Sequence, residues 1–406
     1  MQVFQWHQAA VLIGADGGKV GPRGFAPLVS DRPAAGALAS VLAGEGRGFR
    51  IGGSGALEAG FGGFETLTGG SLGMPRRVVR SQRSWLTGFA VNADLFGIGP
   101  GVSVAVLGRL SHSLALYGAL EGLCLGGNVN VLDGLRVDGQ ALALAVRRVE
   151  VLYATPAQLF GVVAAGISLP ALRHVLIGGA AVDAGLRARL ADLAQDADIH
   201  VFYGAAETSF ITLGGSGVSV GHPYPGVELR LLDASGRVAQ EGEIWVHSPY
   251  LFEGYAGENA GSLRGASGVD PGSLRGGSGG DGKRWLSIGE VGRMTPEGLV
   301  LRGRAGRMVT VADRNVFPEE IEGFLGALPG VGRVAVVARD DAVRGSVLVA
   351  FMMGDRGCET AILAAARAEL GGMVAPRAII WVTDWPELAS GKTDLGALGA
   401  RADPWR

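Results

Sequence analysis

The residues of this sequence best suited to bind an anion lie in one glycine-rich stretch, Thr68–Arg77. Its glycines allow the backbone to direct several N–H groups at a single anion, its hydroxyl groups add donors, and its arginines neutralise phosphate charge. The combination suits a triphosphate, although the spacing departs from the G-x-x-x-x-G-K-[ST] phosphate loop. A structural turn is the alternative interpretation, because the chain contains 70 glycines.

A carboxylate follows an apolar strand pattern in the segment Tyr203–Thr208. In open α/β sheets, ligands bind beyond the carboxyl ends of the strands. Glu207 in such a place suits Mg²⁺, which takes one or two protein carboxylates together with substrate phosphates. A helix N-cap or a surface acid is the alternative for this residue.

Two further segments carry charged residues beside glycine. Glu290 follows Gly289 at a predicted turn, where a carboxylate can accept both hydroxyls of a ribose, and Arg304 follows Gly303 with a charge for phosphate. Lys392 lies in the loop Ser-Gly-Lys, where a glycine-flanked lysine can place a compact charge. Lysine is rare in this chain, since Lys19 and Lys283 are the only others among 36 basic residues.

Strand and helix patterns alternate from about residue 100, which predicts a mixed or parallel sheet with helices on its faces. The predicted strands are 102–107, 128–132, 149–153, 174–177 and 199–203. The predicted helices are 113–125, 156–165 with Thr155 as N-cap, and 183–193.

The pattern changes after residue 221. Strands at 227–232 and 243–247 flank a turn at 233–236, which predicts a β-rich part. Residues 256–284 are rich in Gly and Ser and contain a short duplication, and we interpret them as a flexible surface insertion, with a nucleotide-contacting loop as the alternative. A compact α+β unit follows, with predicted helices at 318–328 and 359–370 and strands at 332–339, 346–353 and 378–383.

Composition excludes several classes of protein. Of the 406 residues 48% are apolar and 18% charged, which is atypical of a disordered chain, and a net charge of −2 without a basic block argues against nucleic-acid binding. No apolar run approaches the ~20 residues of a membrane span, and the first residues lack a signal-peptide pattern. Cys124 and Cys358 are too far apart to indicate a disulfide framework. We therefore expect a cytoplasmic protein of two or three domains.

Taken together and in this order, these segments resemble the motifs of the adenylate-forming (AMP-binding) superfamily, and the type that they resemble is the acyl-CoA synthetase. The matching segments run from about residue 66 to 400: Thr68–Arg76, Leu110–Ser113, Gly178–Ala180, Tyr203–Thr208, Gly242–Trp245 with Gly254-Tyr255, Ile288–Gly292, Gly303-Arg304, Asn315–Glu322 and Ser390–Lys392. The sequences at Phe210–Thr212 and Phe317–Glu322 are similar to those of bacterial fatty-acyl-CoA ligases in particular.

The resemblance implies an α/β fold with a large N-terminal domain, 1–304, and a small mobile α+β C-terminal domain, 305–406, that carries Lys392. The N-terminal domain would contain several subdomains, namely mixed sheets with helices and a β-rich part at about 221–304 with the insertion 256–284. Gly306 would be the hinge between the domains, because a glycine tolerates large changes in backbone angles.

The resemblance also implies the reaction. A carboxylate attacks the α-phosphate of ATP to give an acyl-adenylate and pyrophosphate, and the acyl group then passes to CoA or to a phosphopantetheinyl carrier protein. The implied partners are thus a small carboxylic acid and a thiol, with ATP and Mg²⁺ as cofactors. The composition adds the expectation of no nucleic-acid partner and no membrane span. Whether the chain forms a homodimer is left open.

Each implied role falls on a residue of a matching motif. The pyrophosphate end would be held by Thr68, Gly70, Ser71, Gly73 and Arg76, and the rest of the nucleotide by Gly179, Ala180, Tyr203, Gly204, Glu290 (ribose) and Arg304. The implied catalytic residues are Glu207 with its Mg²⁺, Thr208 at the α-phosphate and Lys392 between carboxylate and α-phosphate. The acid would lie against His112, Gly178 and Ala205.

Several positions depart from the family pattern. The segment before the phosphate loop is shorter than in the family, the loop has Gly69, Leu72 and Arg76 where the family has two hydroxyl residues and a lysine, and Glu290 stands in place of an aspartate. A degenerate nucleotide-binding or scaffold protein without catalysis therefore stays as an alternative. The His112 region contains no acid to bind an ammonium group, which disfavours amino acids and leaves fatty or aryl acids. The small residues at 178–180 and 205–206 leave room for a chain or a ring.

Overall fold

Helices and strands are distributed along the whole chain. A computed structural model describes residues 3–68, 76–180, 182, 184–215, 219–257, 275–278, 282–311, 314–341, 345–387 and 393–401. The first elements are β1 (Val11–Ile13), β2 (Lys19–Val20), β3 (Leu28–Val29), α1 (Ala34–Leu42), β4 (Phe49–Ile51), β5 (Gly63–Leu67), β6 (Arg77–Ser81), α2 (Gln82–Phe96), β7 (Ser103–Val106), α3 (Ser113–Leu125), β8 (Asn128–Val131), α4 (Val137–Val146), β9 (Val151–Ala154), α5 (Pro156–Ala164), β10 (His174–Ile177), α6 (Ala184–Leu193) and β11 (Asp198–Ala205). They are followed by β12 (Ser209–Gly214), β13 (Gly221–Pro223), β14 (Glu228–Leu232), β15 (Glu241–His247), β16 (Gly254–Tyr255), β17 (Arg275–Ser278), β18 (Arg284–Thr295), β19 (Gly298–Arg304), β20 (Val309–Val311), β21 (Arg314–Val316), α7 (Pro318–Gly326), β22 (Val331–Asp341), β23 (Gly345–Gly354), α8 (Glu359–Leu370), β24 (Ala378–Trp381) and α9 (Leu395–Ala400).

The central strands of the largest sheet are buried on both faces. Its order within the described ranges is β13-β12-β11-β10-β9-β7-β8-β1-β2, and the strands from β11 to β1 run parallel. Every residue of β7 and β9 is buried, which explains why these strands appear in the sequence as continuous apolar runs. The predicted mixed sheet is confirmed, with β2, β12 and β13 antiparallel at its edges.

Helices cover both faces of this sheet, as the alternating pattern predicted. α2 and α3 pack on one face, and α4, α5 and α6 pack on the other. α3 spans the predicted range, and α5 begins at the predicted N-cap Thr155, whose side chain accepts the backbone N–H of Gln158 in a capping box. Among the described helices, none combines the length and the apolar character needed to cross a membrane.

Residues 1–65, which carry no clear periodic pattern, contribute to two sheets. β1 and β2 extend the largest sheet, whereas β3, β4 and β5 join β6 and β16 in a second one. Arg50 and Glu65 form a buried ion pair of 2.6 Å in this second sheet, and Glu65 also accepts the backbone N–H of Glu58 at 2.6 Å and of Ala59 at 3.2 Å. The carboxylate therefore fixes the segment between β4 and β5, which has no regular structure of its own.

The β-rich part predicted at 221–304 contributes strands to three sheets. β14, β15, β17, β18 and β19 form a five-stranded sheet that contains the predicted hairpin, whereas β13 joins the largest sheet and β16 pairs with β6. Most of the Gly/Ser-rich stretch 256–284 lies outside the described residues. Its residues 275–278 nevertheless pair with β18 as β17, so this part is a strand rather than the flexible insertion that the composition predicted.

The last hundred residues have apolar cores of their own. β22, β23 and β24 form a three-stranded sheet with α7 and α8 on one face, and α9 packs on the other with Trp385. α8 occupies its predicted range, 359–370. These residues thus form the α+β unit that the sequence pattern predicted.

A polar network is buried where α2 and α3 meet the largest sheet. Glu121 is fully buried, accepts the Asn92 amide at 2.9 Å and accepts the hydroxyl of Tyr153. The hydroxyl of Tyr224 donates to the side-chain oxygen Oδ1 of Asn92 at 2.6 Å. Burial raises the pKa of Glu121 to about 8, although its hydrogen bonds to Tyr153 and Asn92 oppose that change.

The raised pKa of Glu121 predicts how stability depends on pH. The folded protein keeps a proton on this carboxyl up to about pH 8, whereas the unfolded chain loses it near pH 4.5. The free energy of unfolding should therefore fall as the pH rises from about 5 to 8, by at most about 1.4 kcal/mol per pH unit. In Glu121→Gln this slope should be lost, which urea unfolding across the range would measure. Glu369→Gln, which removes an exposed carboxyl of α8, is the control, and an unchanged slope in Glu121→Gln would contradict the prediction.

Candidate active site

Several of the predicted site residues lie at the edge of the largest sheet where its parallel strands end. Gly178 directly follows β10, and Tyr203, Gly204 and Ala205 are the last residues of β11, the neighbouring parallel strand. The carboxyl ends of parallel strands are where open α/β sheets bind ligands. The edge therefore gathers residues that the sequence separates by more than twenty positions.

Gly178 is small because an aromatic ring lies against it. A Cβ atom at this position would come within 2.2 Å of the ring of Phe202, so any larger residue would displace that side chain. The sequence analysis assigned the space beside Gly178 to a bound chain or ring. In the structure the side chain of Phe202 fills that space. Gly179 and Ala180, which follow, are exposed.

Tyr203, Glu290 and Arg304 come together between two sheets. The hydroxyl of Tyr203 donates to Oε2 of Glu290, and Nε of Arg304 lies 3.6 Å from Oε1 of the same carboxylate. Burial and the nearby charge of Glu290 raise the pKa of Tyr203, which keeps the hydroxyl protonated as a donor. The contact fixes the direction of the Glu290 carboxylate at the end of β11.

Glu290 does not lie at a turn, as the sequence analysis expected, but within the long strand β18. Three residues of β18 lie opposite the single residue Ile244 of β15, which forms a bulge. Gly289, with φ of +74°, occupies this bulge, a conformation that glycine adopts at little cost. The bulge directs the side chain of Glu290 toward Tyr203. A bulge within a strand, and not a turn, therefore positions this carboxylate.

Glu207 lies in the turn between β11 and β12, neither at a helix N-cap nor alone on the surface. Its Oε1 accepts the hydroxyl of Tyr255 at 2.6 Å, and its backbone carbonyl accepts the N–H of Phe252 at 2.8 Å. The guanidinium of Arg76 lies 5.4 Å from the centre of the Tyr255 ring. Burial and Glu207 together raise the pKa of Tyr255. The carboxylate is thus held beside an arginine from the end of the glycine-rich stretch.

Thr208 is fully buried, and its hydroxyl is part of the same turn. Its Oγ1 accepts the N–H of Ala205 at 3.0 Å, and its own N–H donates to the carbonyl of Ala205 at 3.2 Å. The hydroxyl therefore shapes the turn that presents Glu207. Its contact with an α-phosphate stays a prediction.

Arg80 is a residue of this region that the sequence analysis missed. It is fully buried in β6, and its guanidinium donates to the carbonyls of Ala206 and Tyr250 and to the hydroxyl of Ser209, the last at 2.8 Å. Burial lowers its pKa to about 9, and the carboxylate of Glu207 is the largest of the charges that oppose this effect. Arg80 therefore stabilises the turn that carries Glu207, by its hydrogen bonds and by its positive charge.

The glycine-rich stretch is closed at its base by its two ends. The N–H of Thr68 donates to the carbonyl of Arg76 at 2.9 Å, and the N–H of Arg76 donates to Oγ1 of Thr68 at 3.0 Å. Gly70, Ser71 and Gly73 lie outside the described residues. His112 pairs through its backbone with Leu67 at this base, and burial lowers the pKa of its imidazole.

The predicted residues of the C-terminal part lie on separate segments. Gly306 is exposed in a 3₁₀ turn, Ala305–Arg307, between β19 and β20, and Arg307 ties this turn to α7 through Glu319 at 3.1 Å and Glu322 at 2.7 Å. Lys392 lies outside the described residues. The loop that carries it is closed by a backbone bridge between Glu387 and Thr393.

Comparisons with known proteins agree with the motif order. A family model described as AMP-binding enzyme matches residues 66–256, and one described as AMP-binding enzyme C-terminal domain matches residues 320–392. The uncharacterized acyl-CoA ligase YhfT of Bacillus subtilis is 29% identical over 336 residues, which cover 80% of this chain and 66% of the relative. The putative long chain fatty acid-CoA ligase VraA of Staphylococcus epidermidis is 25% identical, over 71% of this chain and 60% of the relative. The chain thus spans less than two thirds of the length of these relatives.

Solved structures share the fold. The amide bond synthetase McbA from Marinactinospora thermotolerans superposes with a TM-score of 0.70 at 24% identity, covering 92% of this chain and 79% of the other. The o-succinylbenzoate CoA synthetase of Bacillus subtilis, solved with its acyl-adenylate intermediate, gives 0.70 at 20% identity, covering 84% and 69%. These likenesses confirm the α/β fold class.

Proposed function

Because this chain belongs to the adenylate-forming superfamily of AMP-binding enzymes, and within it to the acyl-CoA synthetase type, we propose that it activates a fatty or aryl acid with ATP. The products would be an acyl-adenylate and pyrophosphate, and the acyl group would then pass to the thiol of CoA. The observation that carries the proposal is the position of Glu207. Tyr255 holds it beside Arg76 at the closed base of the glycine-rich stretch.

The donor set at Glu207 fits a magnesium ion. Oε1 of the carboxylate accepts from Tyr255, while Oε2 has no hydrogen-bonding partner among the described residues, and a carboxylate oxygen is the ligand that Mg²⁺ prefers. Bound there together with phosphate oxygens, Mg²⁺ would neutralise charge on the pyrophosphate. Arg76, at the base of the loop, would add a positive charge to the same end.

Tyr203, Glu290 and Arg304 fit the ribose. The Tyr203 hydroxyl holds one oxygen of Glu290 and fixes the carboxylate, which leaves acceptor capacity for the two ribose hydroxyls. Arg304, 3.6 Å from Glu290, would contact the ribose or the phosphate next to it. Catalysis would then rest mainly on positioning and electrostatic stabilisation of the charge that develops on the phosphoryl oxygens.

Loading of a carrier protein is the second candidate. A probable nonribosomal peptide synthetase, CymA of Salinispora arenicola, is 28% identical over 351 residues, which are 83% of this chain and 4% of that protein. Enzymes that load a carrier thiol and enzymes that load CoA share the nucleotide motifs, so the acceptor must be measured. The third reading, a nucleotide-binding protein without catalysis, is disfavoured by the retention of Glu207 and Lys392.

Pyrophosphate release with a panel of carboxylic acids tests the proposal. Purified protein is incubated with ATP, Mg²⁺ and fatty acids of increasing length or aryl acids, with and without CoA. We expect release with at least one acid and an acyl-CoA product when CoA is present. Glu207→Gln protein, prepared in the same way, controls for contaminating enzymes. Release without acyl-CoA would favour the carrier-loading candidate, and no release with any acid would favour the non-catalytic one.

A further inference from the structure

Two histidines and an aspartate lie at the edge of the largest sheet opposite to the candidate active site. His174 begins β10 and Asp198 begins β11, and the two residues are paired in the parallel register. His200 lies two residues after Asp198 in the same strand, so its side chain points to the same face of the sheet. The strand register therefore brings together three residues that all have metal-binding side chains.

The distances among these side chains suit a single ion. Nδ1 of His174 lies 3.1 Å from Nε2 of His200, and one ligand atom of each residue, including Asp198, lies within 4.8 Å of the others. Zinc bonds of about 2.0–2.2 Å in a tetrahedral arrangement place two ligand atoms roughly 3.3–3.6 Å apart. Without a metal the two imidazoles share a hydrogen bond at a distance close to that separation, and binding would require its proton to move to another ring nitrogen or to be released. Asp198 is exposed, so its carboxylate can rotate to complete the set.

An aromatic side chain packs against the two imidazoles. The ring of Phe96, at the end of α2, lies 5.5 Å from the His174 ring and 4.8 Å from the His200 ring. Phe96 thus restricts both rings from one side, while exposed Asp198 leaves access from solvent.

We propose that His174, Asp198 and His200 bind a divalent transition-metal ion, for which Zn²⁺ is the probe. Imidazole ligands favour zinc, copper or nickel over magnesium or calcium, so this site is chemically distinct from the one at Glu207. Three protein ligands leave one coordination position for water. The bound ion would link β10 to β11 at their amino ends and would stabilise the folded chain by its binding.

Calorimetric titration of tag-free protein with Zn²⁺ tests the proposal, with the melting temperature as a second readout. We expect one equivalent to bind and to raise the melting temperature. Asp198→Asn and His200→Ala should each weaken binding by at least about tenfold, since even outer-shell changes at metal sites cost 10- to 100-fold. His222→Ala, which removes an exposed histidine of β13, is the matched control and should bind as the wild type does.

Two outcomes would overturn the proposal. One is the absence of saturable Zn²⁺ binding to the wild type, and the other is binding that Asp198→Asn and His200→Ala leave unchanged. Asp198 is exposed, so its amide variant keeps the fold even if a histidine variant does not, and melting without zinc verifies this. Neither readout depends on pyrophosphate release, so the metal site and the proposed ligase activity succeed or fail separately.

Discussion

Replacing Lys392 with alanine is expected to lower the rate of acyl-adenylate formation by roughly a hundred- to a thousandfold, as when one stabilising group at a reacting oxygen is removed. By the family resemblance, this lysine bridges two negative groups, the attacking carboxylate and the α-phosphate. A compact ammonium fits between them, and without it they repel each other as they approach. Pyrophosphate release with the best acid of the panel measures the effect.

The scarcity of lysine provides a matched control for this experiment. Lys283 pairs with Glu228 on the surface of the β-rich part, so Lys283→Ala should release pyrophosphate at the wild-type rate. Lys392→Arg keeps the charge in a wider group and should recover only part of the rate. If Lys392→Ala formed the adenylate as fast as the wild type, the assigned role of Lys392 would be wrong, even with the ligase activity established.

Replacing Arg80 with methionine is expected to destabilise the folded protein by roughly 1–3 kcal/mol, the cost of leaving a buried polar group without its hydrogen-bonding partner. Methionine keeps much of the length of the side chain but donates no hydrogen bond, so the buried acceptors at Ala206, Ser209 and Tyr250 would lose their partner. The turn that carries Glu207 would lose its support, so we also expect slower pyrophosphate release. Urea unfolding measures the first effect.

Arg83→Met separates this effect from the simple loss of an arginine. Arg83 lies three residues later in the chain, on α2, and is exposed, so its replacement should change the free energy of unfolding by less than about 0.5 kcal/mol. Arg80→Lys keeps a charge but cannot reach three acceptors at once, and its stability should fall between those of the wild type and Arg80→Met. Equal stability of Arg80→Met and Arg83→Met would show that the buried network contributes nothing.

Much of the fold could be predicted because its core elements have strong local patterns. α3 and α8 occupy their predicted ranges, and the strands of the largest sheet appear as apolar, β-branched runs. The early strands β2 and β3 could not be predicted, because each has only two residues, too few to show a periodic pattern. The strand β17 was missed for a related reason, since Gly and Ser carry no periodic signal.

The residues of the candidate site were likewise predictable where the signal was local and missed where it was not. Glu207, Glu290 and Tyr203 could be found because each lies in a short motif, yet the motif did not show that Glu290 occupies a bulge in β18. Arg80 was missed because its partners are distant, Ser209 by 129 positions and Tyr250 by 170. One local signal was present: Arg80 is two residues after the buried Val78 in β6, so strand alternation places both on the inward face.

The parallel pairing of β1 with β8 has a consequence for how the chain is made. Residues 11–13 can pair early with β2, but they join the parallel part of the largest sheet only when residues 128–130 exist. At a synthesis rate of about 5–20 residues per second this delay is roughly 6–25 s. During that interval β1 is paired on one side only, and its other apolar edge is open. A ribosome-bound chain stopped before β8 should therefore bind chaperones through its first residues and release them once β8 has emerged.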